Sequence, residues 1–338
     1  MQTGNAKSSV YRGFTTPCTC LALSPDGRTL YAGAWEKTVL AWDVASRAVV
    51  ATLSGHSDFV KCLLFVATPA RGSGGWLLSG SGDATIVVWD AQAGTKLAVL
   101  RGHTRAVGVL ALDPLLSDGD AAVVCSAGSG PAIRRWRIPY ADPAGAVEEW
   151  DGEGIVEHET SVHALRALGD DGDFWTASAD GTARRVDLRS PPPAPIRGGG
   201  SRADTVLQHD DYVNDVAMSR DGRWLATACR DEEVRLWDVA SGELVHTFSG
   251  HADEVTALAV VAEGEWLVSA SIDCTVRRWP LKPADVVAAR EAAVAGADAV
   301  GGGGGGGGGE DKADAKVDAK AVLTAEEEAE LAELMDSD

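Results

Sequence analysis

The stretch from His209 to Asp238 constrains the fold of this chain more than any other feature. It begins with a histidine, ends with Trp-Asp, and contains three short runs in which apolar and polar residues alternate, as they do in half-buried β-strands. Arg-Asp-Gly and Arg-Asp-Glu triplets separate the runs and are typical of turns. Three short strands cannot bury their apolar faces alone, so this stretch requires neighbouring units of the same kind.

Such units recur along the chain. The late tryptophan or its replacement returns at intervals of 42 to 51 residues. An aspartate follows it in four of six copies, and a histidine precedes five of them. The six late positions are Trp42, Trp89, Trp136, Val186, Trp237 and Trp279.

This pattern resembles the WD40-repeat family, whose period and Gly-His…Trp-Asp signature the chain shares over residues 14–281. The resemblance implies an all-β fold, a β-propeller occupying residues 8–281 after a disordered N-terminus of residues 1–7. Six visible repeats favour six blades. Seven blades are common in the family, and a diverged blade within residues 138–160 stays open as the alternative. We expect residues 8–14 to supply the outer strand that closes the last blade and removes two open sheet edges.

Beyond Leu281 the strand pattern stops. Residues 282–322 are rich in Ala and Gly, and the glycine run Gly301–Gly309 predicts a flexible tether. Residues 323–338 are acidic, and Thr324 followed by a glutamate three residues later fits a capping box, which predicts a short helix. This tail could dock on a partner, fold over the propeller itself, or simply keep the protein in solution.

The repeated His, Ser/Thr, Asp and Trp suggest two readings. A Ser-His-Asp cluster is typical of a nucleophilic triad, but a catalytic site occurs once and this cluster recurs, which favours a structural hydrogen-bond network. Blades one, three and four lack members of the set and are predicted to be less stable. By resemblance to the family, the complete networks are His56, Ser79, Asp83, Trp89; His209, Thr227, Asp231, Trp237; and His251, Ser269, Asp273, Trp279.

Other features narrow the function. A formal net charge of −20, from 50 acidic and 30 basic residues, argues against binding to nucleic acid or to anionic membranes. Enzyme motifs, metal-ligand spacings and cofactor loops are absent from the sequence, so we predict no enzyme, no cofactor, no metal and no small-molecule substrate. No signal peptide or membrane-spanning run is evident, and the six scattered cysteines suggest buried thiols in a reducing compartment. We expect a cytoplasmic or nuclear protein that is not secreted.

The residues that the framework leaves free are the candidates for binding. By resemblance to the family, the third and fifth residues after each histidine, and the residue before each turn aspartate, point to one rim of the propeller. Exposed aromatic residues and arginine on one rim are typical of interaction hot spots. The predicted partner-binding residues are Trp35, Phe59, Lys61, His163, Tyr212, Asn214, Arg230, Glu254 and Ile272.

We therefore predict a non-enzymatic scaffold or adaptor that binds a protein or peptide on this rim, as part of a multi-subunit complex. The alternative is a substrate receptor of a cullin-4 type ubiquitin ligase. Receptors of that kind resemble one another in ending a repeat with Trp-Asp-x-Arg, and this chain has only the partial match Val186-Asp187-Leu188-Arg189.

Overall fold

The computed structural model describes residues 10–68, 74–113, 117, 119–148, 155–167, 173–187, 203–261 and 266–281. Within them, six antiparallel sheets follow one another along the chain. Sheet one contains β1 to β4, sheet two β5 to β8, sheet three β9 to β13, sheet four β14 to β17, sheet five β18 to β21 and sheet six β22 to β24.

The strands, in chain order, are β1 (Cys18–Leu23), β2 (Thr29–Ala34), β3 (Thr38–Asp43), β4 (Val49–Ser54), β5 (Val60–Ala67), β6 (Gly75–Ser81), β7 (Thr85–Asp90), β8 (Lys96–Arg101), β9 (Val107–Leu112), β10 (Ala121–Gly128), β11 (Ala132–Pro139), β12 (Val147–Glu148), β13 (Ile155–Val156), β14 (Val162–Ala167), β15 (Phe174–Ser178), β16 (Thr182–Val186), β17 (Ala203–Gln208), β18 (Val213–Met218), β19 (Trp224–Cys229), β20 (Glu233–Asp238), β21 (Leu244–Ser249), β22 (Val255–Val261), β23 (Trp266–Ser271) and β24 (Val276–Pro280). A single-turn 3-10 helix, Pro143–Gly145, precedes β12.

The core lies between the sheets. The inner strands pack on one another in the order β1, β5, β9, β14, β18 and β22. Alternation along each inner strand sends successive side chains to opposite neighbours. Between sheets one and two, for example, Cys20 and Ala22 of β1 meet Val60, Leu63 and Phe65 of β5. This architecture confirms the predicted all-β propeller built from six repeats.

Every inner strand carries a bulge at its second residue. In β5, Val60 pairs with Ser81 and Cys62 pairs with Gly80, which leaves Lys61 as the extra residue. A bulge re-aims the side chain that it displaces. The same register irregularity recurs in all six inner strands and places one residue of each at the same end of its sheet: Thr19, Lys61, Gly108, His163, Asn214 and Thr256.

The structure bears on two expectations about the blades: a diverged blade within residues 138–160 and a closing strand at residues 8–14. The region of residues 138–160 contributes β12 and β13, and both pair with β11, so the strands described in this region belong to sheet three. The expected closing strand at residues 8–14 differs from the structure. Residues 10–14 form no strand, and the rings of Tyr11 and Phe14 pack edge-on against Trp42 at centroid distances of 6.0 and 5.7 Å.

That packing explains the difference. Trp42 Nε1 donates a hydrogen bond of 3.1 Å to the carbonyl of Arg12, so this carbonyl already has a side-chain partner. Gly13 takes a positive φ of 150° between the two aromatic residues, a backbone conformation that few other residues adopt. Sheet six consequently contains three strands in the part of the chain that the structure describes.

Several sequence predictions lie outside the described residues. They concern the N-terminal residues 1–7, the linker 282–322 and the acidic helix 323–338. The cysteines differ from expectation in two places, because Cys18 and Cys274 are exposed while Cys62, Cys125 and Cys229 are buried. Among the described helices, none has the length and apolar character needed to cross a bilayer.

Candidate partner-binding rim

Sheet two shows what the recurring polar residues do. His56 Nε2 lies 2.8 Å from Ser79 Oγ, and His56 Nδ1 lies 3.0 Å from Asp83 Oδ2. Trp89 Nε1 donates to the same Ser79 Oγ at 2.8 Å. Each group is polar and at least partly removed from water, so each relieves the desolvation cost of the next. The four residues form one hydrogen-bond network, which connects the segment before the inner strand of the sheet to its third strand.

This hydrogen-bond network has a further member that the sequence analysis missed. Thr85 Oγ1 donates to Asp83 Oδ1 at 2.6 Å and lies 3.4 Å from His56 Nδ1. Thr182 and Thr275 make the same two contacts in sheets four and six. The signal was present in the sequence as Asp-x-Thr, because each threonine stands two residues after the turn aspartate.

Sheets six and four repeat the arrangement. His251 bonds to Ser269 at 2.7 Å and to Asp273 at 2.9 Å, and Trp279 Nε1 donates to Ser269 at 2.8 Å. In sheet four, His158 lies 2.7 Å from Thr176 and 2.9 Å from Asp180. Val186 removes only the tryptophan from the set, so sheet four retains most of its network.

Sheet five differs from the predicted set. His209 Nε2 lies 2.8 Å from Thr227 and Trp237 Nε1 donates to Thr227 at 3.0 Å, as in the other sheets. Asp231 does not reach the histidine. It pairs instead with Arg235 at 2.7 Å. The physical reason is that Glu233 stands where sheets two, four and six have threonine, and it shares the same guanidinium at 2.8 Å.

Sheets one and three also depart from the pattern. In sheet three, His103 and Trp136 both bond to Ser126, at 2.7 and 2.8 Å, while Gly130 replaces the turn aspartate. In sheet one, Glu36 takes the place of the aspartate and accepts from the backbone N–H of Thr15 at 2.6 Å.

The pKa values follow these contacts. Burial alone would raise the pKa of Asp83, but the bonds from Thr85, Ser57 N and His56 outweigh it and lower the pKa to about 2. Burial lowers the pKa of His103 to about 4, and the positive charge of Arg134 acts in the same direction. Burial, followed by the charge of Arg235, lowers the pKa of His209 to about 4. Both histidines are therefore neutral at neutral pH.

The geometry gives these clusters a structural role. Ser79, Thr227 and Ser269 are fully buried, so no substrate could reach their hydroxyl groups. Each hydroxyl also already bonds to a histidine and a tryptophan. Among the described residues, no group of three or more His, Cys, Asp and Glu side chains is arranged to hold a metal ion.

The predicted rim residues lie beside the bulges and turns. Trp35 precedes the turn of sheet one and Phe59 precedes β5 of sheet two. Their rings stack at a centroid distance of 5.3 Å with an interplanar angle of 18°. Trp35 is 49% exposed and Phe59 is 40% exposed, so neither folds back into the core. Lys61 and Ile272 are exposed on the same rim.

A second group joins three sheets. His163 Nδ1 of sheet four lies 3.2 Å from Asn214 Oδ1 of sheet five. Asn214 Nδ2 donates to Glu254 Oε1 of sheet six at 2.8 Å and to the Val255 carbonyl at 2.9 Å. His163 also lies edge-on to the ring of Tyr212 at 6.3 Å.

Arg230 completes this group, which we call the rim ridge: His163, Tyr212, Asn214, Arg230 and Glu254. The Arg230 guanidinium lies 5.1 Å from the centroid of the Tyr212 ring, within the range of a cation–π contact. Tyr212 remains exposed despite these neighbours. The rim ridge therefore presents an aromatic face, a cation, an amide and a carboxylate that neighbouring side chains hold in place.

A propeller of repeated sheets with a polar framework and an exposed aromatic rim defines a WD-type repeat protein. The family model for the WD domain, G-beta repeat, matches residues 6–43, 47–90, 200–238 and 242–280. This chain belongs to the WD40-repeat β-propeller family. Proteins with WD repeats are in general non-enzymatic scaffolds for protein interaction.

Two of the proteins that this chain resembles are named as WD repeat-containing proteins. The chain is 34% identical over 252 residues to an uncharacterized WD repeat-containing protein of Schizosaccharomyces pombe, covering 73% of this chain and 62% of that protein. It is 28% identical over 236 residues to WD repeat-containing protein 18 of Rattus norvegicus, covering 68% of this chain and 52% of the other. A shorter match, 33% over 106 residues, is to the U3 snoRNP-associated protein-like YAO of Arabidopsis thaliana, covering 28% of this chain and 21% of that protein. The chain thus spans about half to three fifths of the length of its longer-matching relatives.

Proposed function

We propose that this protein is a non-enzymatic scaffold that binds a protein or peptide partner through its rim, within a multi-subunit complex. The observation that carries the proposal is the rim ridge, in which side chains from three sheets bond to one another while His163, Tyr212 and Arg230 stay exposed. Ordered aromatic and arginine side chains lose little conformational entropy on binding, and such residues dominate interface hot spots.

The chemistry of the rim favours an extended peptide with mixed polar character. Tyr212 and Arg230 together offer a flat face for an aromatic or aliphatic side chain. Glu254 and Lys61 give opposite charges at different places on the rim, so a partner of one strong charge gains little. A protein partner in the cytoplasm or nucleus suits this surface. The Arabidopsis relative is named as a U3 snoRNP-associated protein, which supports membership of a complex for this chain also.

The test is quantitative affinity purification from native cells with the Tyr212→Ala, Arg230→Ala double variant. We expect recovery of the bound partner to fall at least about tenfold, in keeping with the loss of hot-spot side chains. The matched control is Leu244→Ala, which removes an equally exposed apolar side chain from the outer strand β21, away from the rim. Equal recovery by the double variant and the control would refute the rim as the binding surface.

The alternative function, a substrate receptor of a cullin-4 type ligase, rests on the partial Asp-x-Arg motif. Asp187 lies at the end of sheet four, whereas Arg189 lies outside the described residues. The same purification separates the two functions. Recovery of cullin-4 with its adaptor would favour the ligase receptor, and a stable complex without them would favour the scaffold.

A further inference from the structure

The first and last sheets each leave an apolar face uncovered. In β1, Leu21 is 65% exposed, whereas Val216 at the equivalent position of sheet five is 0% exposed. Leu23, two residues further along the same face, is exposed as well. In the other sheets this face is covered by the sheet that precedes it.

Sheet six shows the complementary exposure on its opposite face. Val276 of β24 is 70% exposed, whereas Val234 at the equivalent position of sheet five is 0% exposed. Val261 at the end of β22 is exposed too. In sheets one to five, the sheet that follows covers this face. An isolated exposed valine is ordinary, but matching apolar rows on two end faces of a repeated structure mark an interface.

Hydrogen bonds across the sheets stop at the same place. Asn214 of sheet five donates to the Val255 carbonyl of sheet six at 2.9 Å. Thr19 of sheet one likewise donates to the carbonyl of Val60 in sheet two. Thr256, the corresponding residue of sheet six, donates to the Ala270 carbonyl of its own sheet at 3.2 Å, just as Thr19 also donates to Gly33, but among the described residues it makes no bond to another sheet. Within the part of the chain that the structure describes, β22 and β1 do not pack together as the other inner strands do.

A small part of the vacant position is already occupied. The outer strand of each sheet places an apolar side chain on the tryptophan of the next sheet, as Phe248 does on Trp279 at 5.1 Å. On Trp42 of sheet one, Tyr11 and Phe14 take that place. Among the residues that the structure describes, the space between sheets six and one is therefore that of a missing sheet, with only its outermost part supplied.

We propose that a partner protein supplies this sheet, inserting antiparallel strands between sheets six and one. Both faces of the inserted sheet must be apolar. The face that packs on sheet six needs leucine or β-branched residues against Ala257 and Ala259. The face that packs on sheet one needs smaller residues against Leu21 and Leu23. These are the side chains that meet at the other boundaries, such as Val60, Leu63 and Phe65 on Cys20 and Ala22.

Two other occupants fit less well. Residues 282–338 of this chain contain no aromatic residue, and a run of nine glycines interrupts them. They also lack the alternating apolar pattern that the strands of the six repeats share. A second copy would place its own sheet one against sheet six, a heterologous contact that leaves another end face open and grows without closing. A partner sheet closes the structure in one step. This surface is distinct from the rim ridge, so the inference does not depend on the rim proposal.

The first test uses cysteines that the protein already has. Cys18 lies exposed on the uncovered face of sheet one, Cys274 is an exposed reference, and Cys62 and Cys229 are buried controls. In the purified full-length chain we expect iodoacetamide to modify Cys18 within about tenfold of the rate of Cys274, and at least about 100-fold faster than Cys229, because buried thiols react only after local opening. Protection of Cys18 equal to that of Cys62 would overturn the proposal. Protection that grows with protein concentration would point to a second copy and also overturn it.

The second test identifies the occupant. A photo-crosslinking amino acid is placed at Leu21, at Val276 and, as control, at Leu244, in the full chain expressed in native cells. We expect the first two positions to capture strand-forming peptides of the same partner and Leu244 to miss it, and we expect that partner to protect Cys18 in the purified complex. Crosslinks into residues 282–338, into a second copy, or into no common partner would overturn the proposal. The Tyr212→Ala, Arg230→Ala variant should retain these crosslinks, which separates this surface from the rim.

Discussion

Two histidines of the fourth repeat, His158 and His163, lie five residues apart and occupy opposite environments. His158 is buried and bonds to Thr176 and Asp180 within its own sheet. His163 is exposed, sits on a bulge, and bonds to Asn214 of the next sheet. The first histidine recurs in the same role in other sheets. The second position changes from sheet to sheet, as Lys61 and Asn214 show. Recurrence and burial together identify the framework, and variation at an exposed bulge is what we expect of the proposed recognition surface.

The largest effect on stability is expected from replacing the buried histidine, His158. His158→Ala removes one hydrogen-bond partner from the buried hydroxyl of Thr176 and one from the carboxylate of Asp180 inside sheet four. We expect the free energy of unfolding to fall by about 3 kcal/mol, because buried polar groups then lose their hydrogen bonds. Urea denaturation of this variant measures the change. A loss no greater than that of His163→Ala would contradict the framework role.

The next effect is on pH dependence. His103 and His209 have folded pKa values of about 4 because burial disfavours their charged forms. An unfolded histidine titrates near 6.5, so the unfolded chain binds more protons between these values. Stability is therefore complete above about pH 6.5 and falls as the pH drops toward 4, by about 2 kcal/mol per histidine at pH 5. Urea unfolding at pH 8 and pH 5, compared for wild type and His209→Gln, measures this, and an equal pH slope in both would contradict it.

A gain of stability is expected from completing sheet three. A Cβ at Gly130 meets no atom closer than Arg105 Cδ at 3.9 Å, so a side chain fits there. Gly130→Asp should bring a carboxylate to His103, raise the free energy of unfolding by about 1 kcal/mol, and raise the pKa of His103 above about 4. Thermal unfolding and NMR titration of the imidazole follow both changes. Destabilisation by this variant would mean that sheet three does not share the common geometry.

The sequence predicted the framework well and its exceptions poorly. The resemblance to the family placed His56, Ser79, Asp83 and Trp89 together, and their recurrence favoured a structural role over a catalytic one. The sequence pattern could not show that Asp231 pairs with Arg235 instead of His209. This pairing depends on Glu233, which binds the same guanidinium in the folded structure. The expected closing strand depended on packing by Tyr11 and Phe14, which strand alternation alone does not encode.

The smallest expected effect on stability gives the most direct test of the central claim, that the rim recognises and the framework holds. The measurement combines partner recovery with urea unfolding for the His163→Ala, Asn214→Ala double variant. We expect partner recovery to fall at least about tenfold while the free energy of unfolding stays within about 0.5 kcal/mol of wild type. A folded, equally stable variant that recovers its partner as well as wild type would contradict the account.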